Sequence, residues 1–253
     1  MTSFAAGEDV WIRRLGNLRN TIRQEMVHRQ VAAHVSDGMT VLDVGCGQGT
    51  QAIRLGRLGC DVTGIEPSAD LRALCAESAL AEGVAIELIA GSIERLDDLI
   101  GDRRFDLVCS HGLLMYLPDR TGAISTLARR VLPDGLLSLT VRNTHALAMR
   151  PGLRRQWSAA LAALETRRYV NELGVEARAD RLEDVVGDLD AVGMELAGWF
   201  GVRIFNDAVP VDMDVPVDED LDALLDAEDR AGRIDPYRWM ASQLHILARS
   251  RRS

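Results

Sequence analysis

The sequence predicts an α/β protein built on a doubly wound, seven-stranded and mostly parallel sheet, with helices ahead of it and a helical insertion late in it. Three observations predict it. Apolar runs bounded by Gly, Pro and Asp alternate with longer segments of helical periodicity, the pattern of a parallel sheet covered by helices on both faces. The first run opens into a glycine-rich turn, "VLDVGCGQGTQAIRLG" at residues 41–56, and the second ends on an acid. With 253 residues, 47% of them hydrophobic, and a mean hydropathy of -0.02, the chain reads as one soluble domain over residues 1–253 with a sizeable core.

Seven strands are expected, at residues 40–44, 61–65, 86–90, 105–110, 136–142, 197–205 and 244–249. Pro133 and Gly135 mark a turn ahead of the fifth. Residues 1–36 read as a helical preface with apolar positions at Val10, Ile12, Leu15, Leu18, Ile22 and Met26. Residues 144–192 read as a helical cap inserted between the fifth and sixth strands. The acidic stretch "PVDMDVPVDEDLDALLDAEDR" reads as a solvated loop leading into a helix, because its carboxylates lack the fixed spacing of a calcium loop.

Composition excludes several classes. No apolar run approaches the ~20 residues of a membrane span, and "MTSFAAGEDVWIRR" lacks the basic start and apolar stretch of a signal peptide, so a cytoplasmic location without membrane association is expected. Cys46, Cys60, Cys75 and Cys109 form no C-x-x-C pair and have no histidines at zinc spacing; reduced thiols and no metal are expected. All 29 basic residues are arginines. The net charge of -9 argues against broad polyanion binding, though it leaves room for a local basic face.

A glycine after a strand lets the chain turn sharply, and a second lets a ligand lie against bare backbone. Gly45, Gly47 and Gly49 read G-x-G-x-G behind Asp43, which is not the G-x-G-x-x-G spacing that holds a pyrophosphate. The stretch resembles the first motif of class I S-adenosylmethionine-dependent methyltransferases, whose ligand carries a sulfonium, an amino-acid end and an adenosine. Glu66, ending the second strand, can accept both hydroxyls of a ribose. The same acid suits NAD, so it marks a ribose and not one cofactor; Ser68 is the better cap for the following helix. Ser92 stands where such methyltransferases often place an adenine-binding Asp, and Ser92 and Ile93 can bracket the ring. His111, at the carboxyl end of the fourth strand, either points into the ligand crevice or caps the next helix.

Over nearly its full length the chain is similar to the bacterial tRNA 5-carboxymethoxyuridine methyltransferase family, which methylates the carboxylate of a modified wobble uridine. The matching stretches are "LGNLRNTIRQ", "SHGLLMYL", "GLLSLTVRNTHAL", "GVRIF" and "AEDRAGRIDPY". The resemblance implies S-adenosylmethionine as cofactor. It puts Arg23 on the cofactor's carboxylate, Gly45 and Cys46, with Asp43 and Gly47, in the glycine loop, Glu66 on the ribose, Ser92 and Ile93 around the adenine, and His111 in the site. Asn143, His145, Arg203 and Tyr237 become candidates for the acceptor side. The chain departs from the family's pattern at Met115, where an acid is expected. It also has only scattered arginines (Arg167, Arg168, Arg178, Arg181) where a lysine-rich run is expected.

A carboxylate acceptor needs no base but wants a permanent cation, for which Arg203 is the candidate. A hydroxyl needs a base, and His111 and His145 are the candidates. Three readings stay open: a carboxylate O-methyltransferase with tRNA as partner, an O-methyltransferase for the hydroxyl of a small metabolite or sugar, and a cofactor-binding protein without catalysis. Oligomeric state stays open as well.

Overall fold

The computed structural model describes residues 7–13 and 16–251; Leu15 of the expected preface lies outside them. In chain order the elements are α1 (Glu8–Arg13), α2 (Leu18–Ala32), β1 (Thr40–Val44), α3 (Thr50–Arg57), β2 (Asp61–Glu66), α4 (Ala69–Ala81), β3 (Ile86–Ala90), α5 (Leu96–Ile100), β4 (Phe105–His111), α6 (Arg120–Ala128) and β5 (Val131–Arg142). They continue with α7 (Met149–Leu153), α8 (Trp157–Glu165), β6 (Arg168–Val170), β7 (Glu176–Arg178), α9 (Leu182–Ala191), β8 (Met194–Val202), α10 (Asp218–Ala231) and β9 (Gln243–Ser250). Among the described residues no helix is long and apolar enough to cross a membrane.

Seven strands form a mostly parallel sheet in the order β3-β2-β1-β4-β5-β9-β8. Val41, Leu42, Val44, Val62, Ile65, Leu107, Val108, Leu137 and Leu139 are all buried. Strands covered on both faces carry such unbroken apolar runs. Each fully buried side chain of this kind stabilises by about 1.5–3 kcal/mol. α4 and α6 begin where short polar side chains cap them: Ser68 Oγ accepts from Leu71 N at 3.2 Å ahead of α4, and Asp119 Oδ1 accepts from Gly122 N at 2.9 Å ahead of α6. The strand order reverses between β1 and β4, so the loops that follow them diverge and open a crevice at their carboxyl ends.

The chain divides into two compact units. One, the sheet unit, holds residues 28–140, 185–198 and those from 246 on; the second holds residues up to 27, 141–184 and 199–245.

Three expectations are corrected in detail. The turn expected before the fifth strand is a bulge inside it: Val131 pairs with Phe105, the register then shifts, and Leu136 pairs with Leu107. Asp134 takes a φ of 63° there, and a Cβ on Gly135 would stand 2.9 Å from Asp106 O. The sixth strand runs over Met194–Val202, not 197–205. It stops because Arg203 turns to a φ of 61° and the N–H groups of Ile204 and Phe205 donate to Glu228 at 2.8 and 3.1 Å instead of to a ladder. Residues 144–192 are not wholly helical, since β6 and β7 pair as an antiparallel hairpin around Gly174, which has a φ of 75°.

Candidate active site

Gly45, Gly47 and Gly49 all adopt the left-handed backbone that glycine tolerates, with φ of 76°, 57° and 82°. Gly45 N and Cys46 N donate to Ile65 O at 2.8 and 3.1 Å, which folds the loop back on the end of β2. Both oxygens of Glu66 then work on backbone: Oε2 accepts from Gly47 N at 3.0 Å and Oε1 from Ser68 N at 2.9 Å. One carboxylate thus joins the glycine loop to the start of α4. Gly91 N donates to Glu66 O at 3.3 Å, bringing the end of β3 alongside, where Ser92 leads into the turn Ile93–Arg95.

Asp43 is buried at 3% exposure, and burial followed by the nearby Glu66 pushes its carboxyl up to about 7. Cys46 and Cys75 share a thiol hydrogen bond, which together with burial raises the Cys46 thiol. The Cys109 thiol is raised well above its usual range by burial. Neither Cys46 nor Cys109 is therefore a thiolate at neutral pH. His111 Nε2 lies 2.8 Å from Ser138 Oγ on the neighbouring strand.

These residues fit an adenosine-bearing ligand. A Cβ placed on Gly47 would meet nothing within 4 Å, so its bare backbone faces open space. On Gly49 the same atom would collide with Cys75 Sγ, which makes that glycine a packing requirement. A carboxylate offers about four acceptor positions. On Glu66 two of those positions hold the backbone donors of Gly47 and Ser68.

The second unit gathers the acceptor-side candidates into two groups. Asn143 is fully buried; its Nδ2 donates to Trp239 O and Ala241 O at 2.9 and 2.8 Å, and its Oδ1 accepts from His145 N at 3.0 Å. It is committed to the fold and fixes its neighbours. His145 is exposed, its ring 5.8 Å from that of Trp239, and Tyr237 is 49% exposed in the turn Tyr237–Met240.

Arg203 belongs to the other group. Glu228, buried on α10, takes the N–H groups of residues 204 and 205 and the Asn206 amide, and so fixes the loop that presents Asp207. Around Asp207, Arg150 forms a tight bidentate pair at 2.9 and 2.6 Å, whereas Arg142 reaches it only at 3.3 and 3.5 Å and Arg203 at 3.4 Å. Arg203 Nε also donates to Ser242 Oγ at 3.1 Å. A second carboxylate, Glu172, takes Arg19 at 2.7 Å, Arg154 at 3.0 Å and Arg150 at 3.5 Å. Five guanidiniums therefore share two carboxylates. Burial would raise Asp207, but Arg142, Arg203 and Arg150 outweigh it and hold the group well below the usual carboxylate range. Burial also pushes Arg203 down to about 9, with the charges of Arg150, Arg142 and Arg23 adding to the effect. Arg142 Nε and Arg19 Nη2 are buried without a hydrogen-bond partner among the described residues.

Arg23 lies on α2 with its guanidinium 4.9 Å from the Trp11 ring centroid. Arg19, Arg142, Arg150 and Asp207 were not expected from the sequence, although Arg142 directly precedes the Asn143 that was.

Residues 42–139 match the family described as a methyltransferase domain. The chain is 26% identical over 241 residues to the tRNA 5-carboxymethoxyuridine methyltransferase of Escherichia coli (strain K12), covering 94% of this chain and 90% of that one. It is 28% identical over 193 residues to the ubiquinone biosynthesis O-methyltransferase of Rhizobium leguminosarum bv. trifolii (strain WSM2304), covering 75% and 72%. The crystal structure of magnesium protoporphyrin IX methyltransferase from Synechocystis PCC 6803 with bound S-adenosylhomocysteine shares the fold, with a TM-score of 0.62, 18% identity and coverage of 96% and 93%. The chain carries a methyltransferase domain over residues 42–139 and is an S-adenosylmethionine-dependent methyltransferase, with S-adenosylmethionine as its methyl donor. Within that class it resembles the tRNA 5-carboxymethoxyuridine methyltransferase family.

Proposed function

We propose that this methyltransferase esterifies a carboxylate, and that the acceptor is the modified wobble uridine of a tRNA. The arrangement around Asp207 carries the reading: Arg142 and Arg203 are buried cations that share one carboxylate at the outer edge of hydrogen-bond reach. Buried cations short of counter-charge are costly, and an acceptor carboxylate supplies the missing negative charge in a geometry that guanidinium recognises. The whole-length likeness to a tRNA-modifying enzyme supports the choice of acceptor.

When bound, S-adenosylmethionine supplies a methyl group already activated on a sulfonium. The chain's own work is then alignment and exclusion of water. We assign Gly45, Cys46 and Gly47 to backbone contacts with the cofactor, Glu66 to its ribose, Ser92 and Ile93 to its adenine, and Arg23 to its carboxylate. We place Asp43, near the end of β1, on the cofactor side with the glycine loop, and His111 lines the crevice. Arg203, with Arg142, holds the acceptor carboxylate ionised and oriented; His145 and Tyr237 shape the acceptor side, with Asn143 positioning His145. A carboxylate is ionised at neutral pH, so this reaction needs no general base.

A second reading, transfer to the hydroxyl of a small metabolite, is favoured by the net charge of -9 and by the likeness to ubiquinone-biosynthesis O-methyltransferases. It requires His111 or His145 as base. The two separate by incubating the enzyme with labelled donor and with RNA or small-molecule fractions, then treating the product with mild alkali. A methyl ester releases its label as methanol. Label that survives alkali is not on an ester oxygen and overturns the carboxylate reading.

A further inference from the structure

We infer that the second unit carries a stacking platform for one unpaired nucleobase, built from Trp199, Trp239 and His145. This rests on the proposed nucleic-acid acceptor and adds how its base is held. Aromatic residues make up only 4% of the chain, yet these rings lie close together. The Trp199 and Trp239 centroids are 4.6 Å apart at a 58° tilt, and His145 follows at 5.8 Å and 42°. The outermost ring, His145, is exposed, and the two indoles are half-buried.

The rings are held rigidly. Arg238 covers Trp199 with its guanidinium 4.0 Å from the ring centroid and is itself anchored on Asp235 through Nε and Nη2. The single buried amide of Asn143 fixes both the Trp239 carbonyl and the His145 N–H, so two rings take their positions from one side chain. Beneath them a Cβ on Gly201 would stand 2.7 Å from Arg238 O, so the turn Tyr237–Met240 packs directly on the backbone of β8. Rigid rings that are partly open to solvent lose little entropy when a flat ligand lands on them. Every base has a π-face, so such a surface stacks bases without reading their edges. The residue before Asn143 is Arg142 of the cation cluster, so one chain segment serves a flat ring and an anion together. That pairing of chemistries is a nucleotide's.

The test titrates the full-length enzyme with a single-stranded oligouridylate and with an abasic ribose-phosphate oligomer of equal length, at fixed salt. We expect the oligouridylate to bind roughly tenfold more tightly, the scale of stacking one base. Trp239→Leu and His145→Ala should each erase that difference, while Trp157→Leu, exposed at 63% on α8, should keep it. Binding of S-adenosylhomocysteine reports that each variant is folded, and His145→Ala, on an exposed ring, guards against a misfolded Trp239→Leu. Equal binding of the two oligomers to the parent enzyme, binding of neither, or a difference that survives both folded variants overturns the platform. Alkali-labile methylation of a non-nucleotide carboxylate, without base discrimination, would leave the esterification reading standing and remove this one. Base discrimination accompanied by alkali-stable product would do the reverse.

Discussion

Two carboxyl groups near the glycine loop have opposite duties. Glu66 is an acceptor: both its oxygens already hold backbone N–H groups, at 3.0 and 2.9 Å. Glu66→Ala leaves those donors unanswered and removes the proposed ribose partner. Calorimetry with S-adenosylhomocysteine should then show a loss of about 1.5–3 kcal/mol, the scale of hydrogen bonds to a charged group. An unchanged affinity would take Glu66 out of the ribose role. Asp43 instead titrates in the fold. Its carboxyl is pushed from 3.8 up to about 7, so between those values the folded chain holds a proton that the unfolded chain has released. Stability therefore falls through this group as pH rises from about 4 to about 7. Urea midpoints measured across that window should decline for the parent and stay flatter for Asp43→Asn. Parallel declines in the two proteins would show that another acid is responsible.

The loop between β1 and α3 separates a packed glycine from one on open backbone within three residues. Gly49→Ala puts a Cβ onto Cys75 Sγ and forces a left-handed alanine, so a lower melting temperature is expected with or without ligand. Gly47→Ala meets open space on the protein side and bears only the backbone strain, about 1–2 kcal/mol. Its main loss should be cofactor affinity, and a Gly47→Ala variant that binds S-adenosylhomocysteine like the parent would show that the ligand does not lie there. This loop was legible in the sequence because its glycines and Glu66 sit in short contiguous motifs, and the central strands were legible because burial on both faces leaves unbroken apolar runs. The end of β8 was not: "GVRIF" continues the apolar pattern past Val202, and what stops the strand is Glu228, 24 residues away in sequence. The cluster on Asp207 escaped for the same reason, since Arg19 and Asp207 are 188 residues apart and no local pattern announces their meeting. Arg203 was singled out through a resemblance; its neighbours Arg142 and Arg150 carried no signal beyond being arginines.

For the molecule as a whole, charge decides between acceptors. The chain carries -9 overall and has arginine and no lysine among its basic side chains, so the guanidiniums, Arg203 at about 9 included, stay protonated from pH 6 to 8. Under the carboxylate reading kcat should be level from pH 6 to 8, whereas a hydroxyl acceptor would give a limb rising through a histidine near ~6.5. If the acceptor is RNA, log affinity must fall with log salt by roughly 0.7 per phosphate contacted, and a flat response would sink that acceptor.

The four cysteines, all free, buried and within the sheet unit, give the enzyme a built-in clock. A water-borne maleimide can reach a covered thiol only while the surrounding structure is briefly open, so each labelling rate times an opening event. Cys46 lies in the glycine loop and Cys75 presses on Gly49, whereas Cys60 sits at the other end of the strands, its thiol 3.8 Å from Ser36 O. A ligand seated on the loop must slow the first two and leave the third nearly unchanged, which locates cofactor binding without a single turnover.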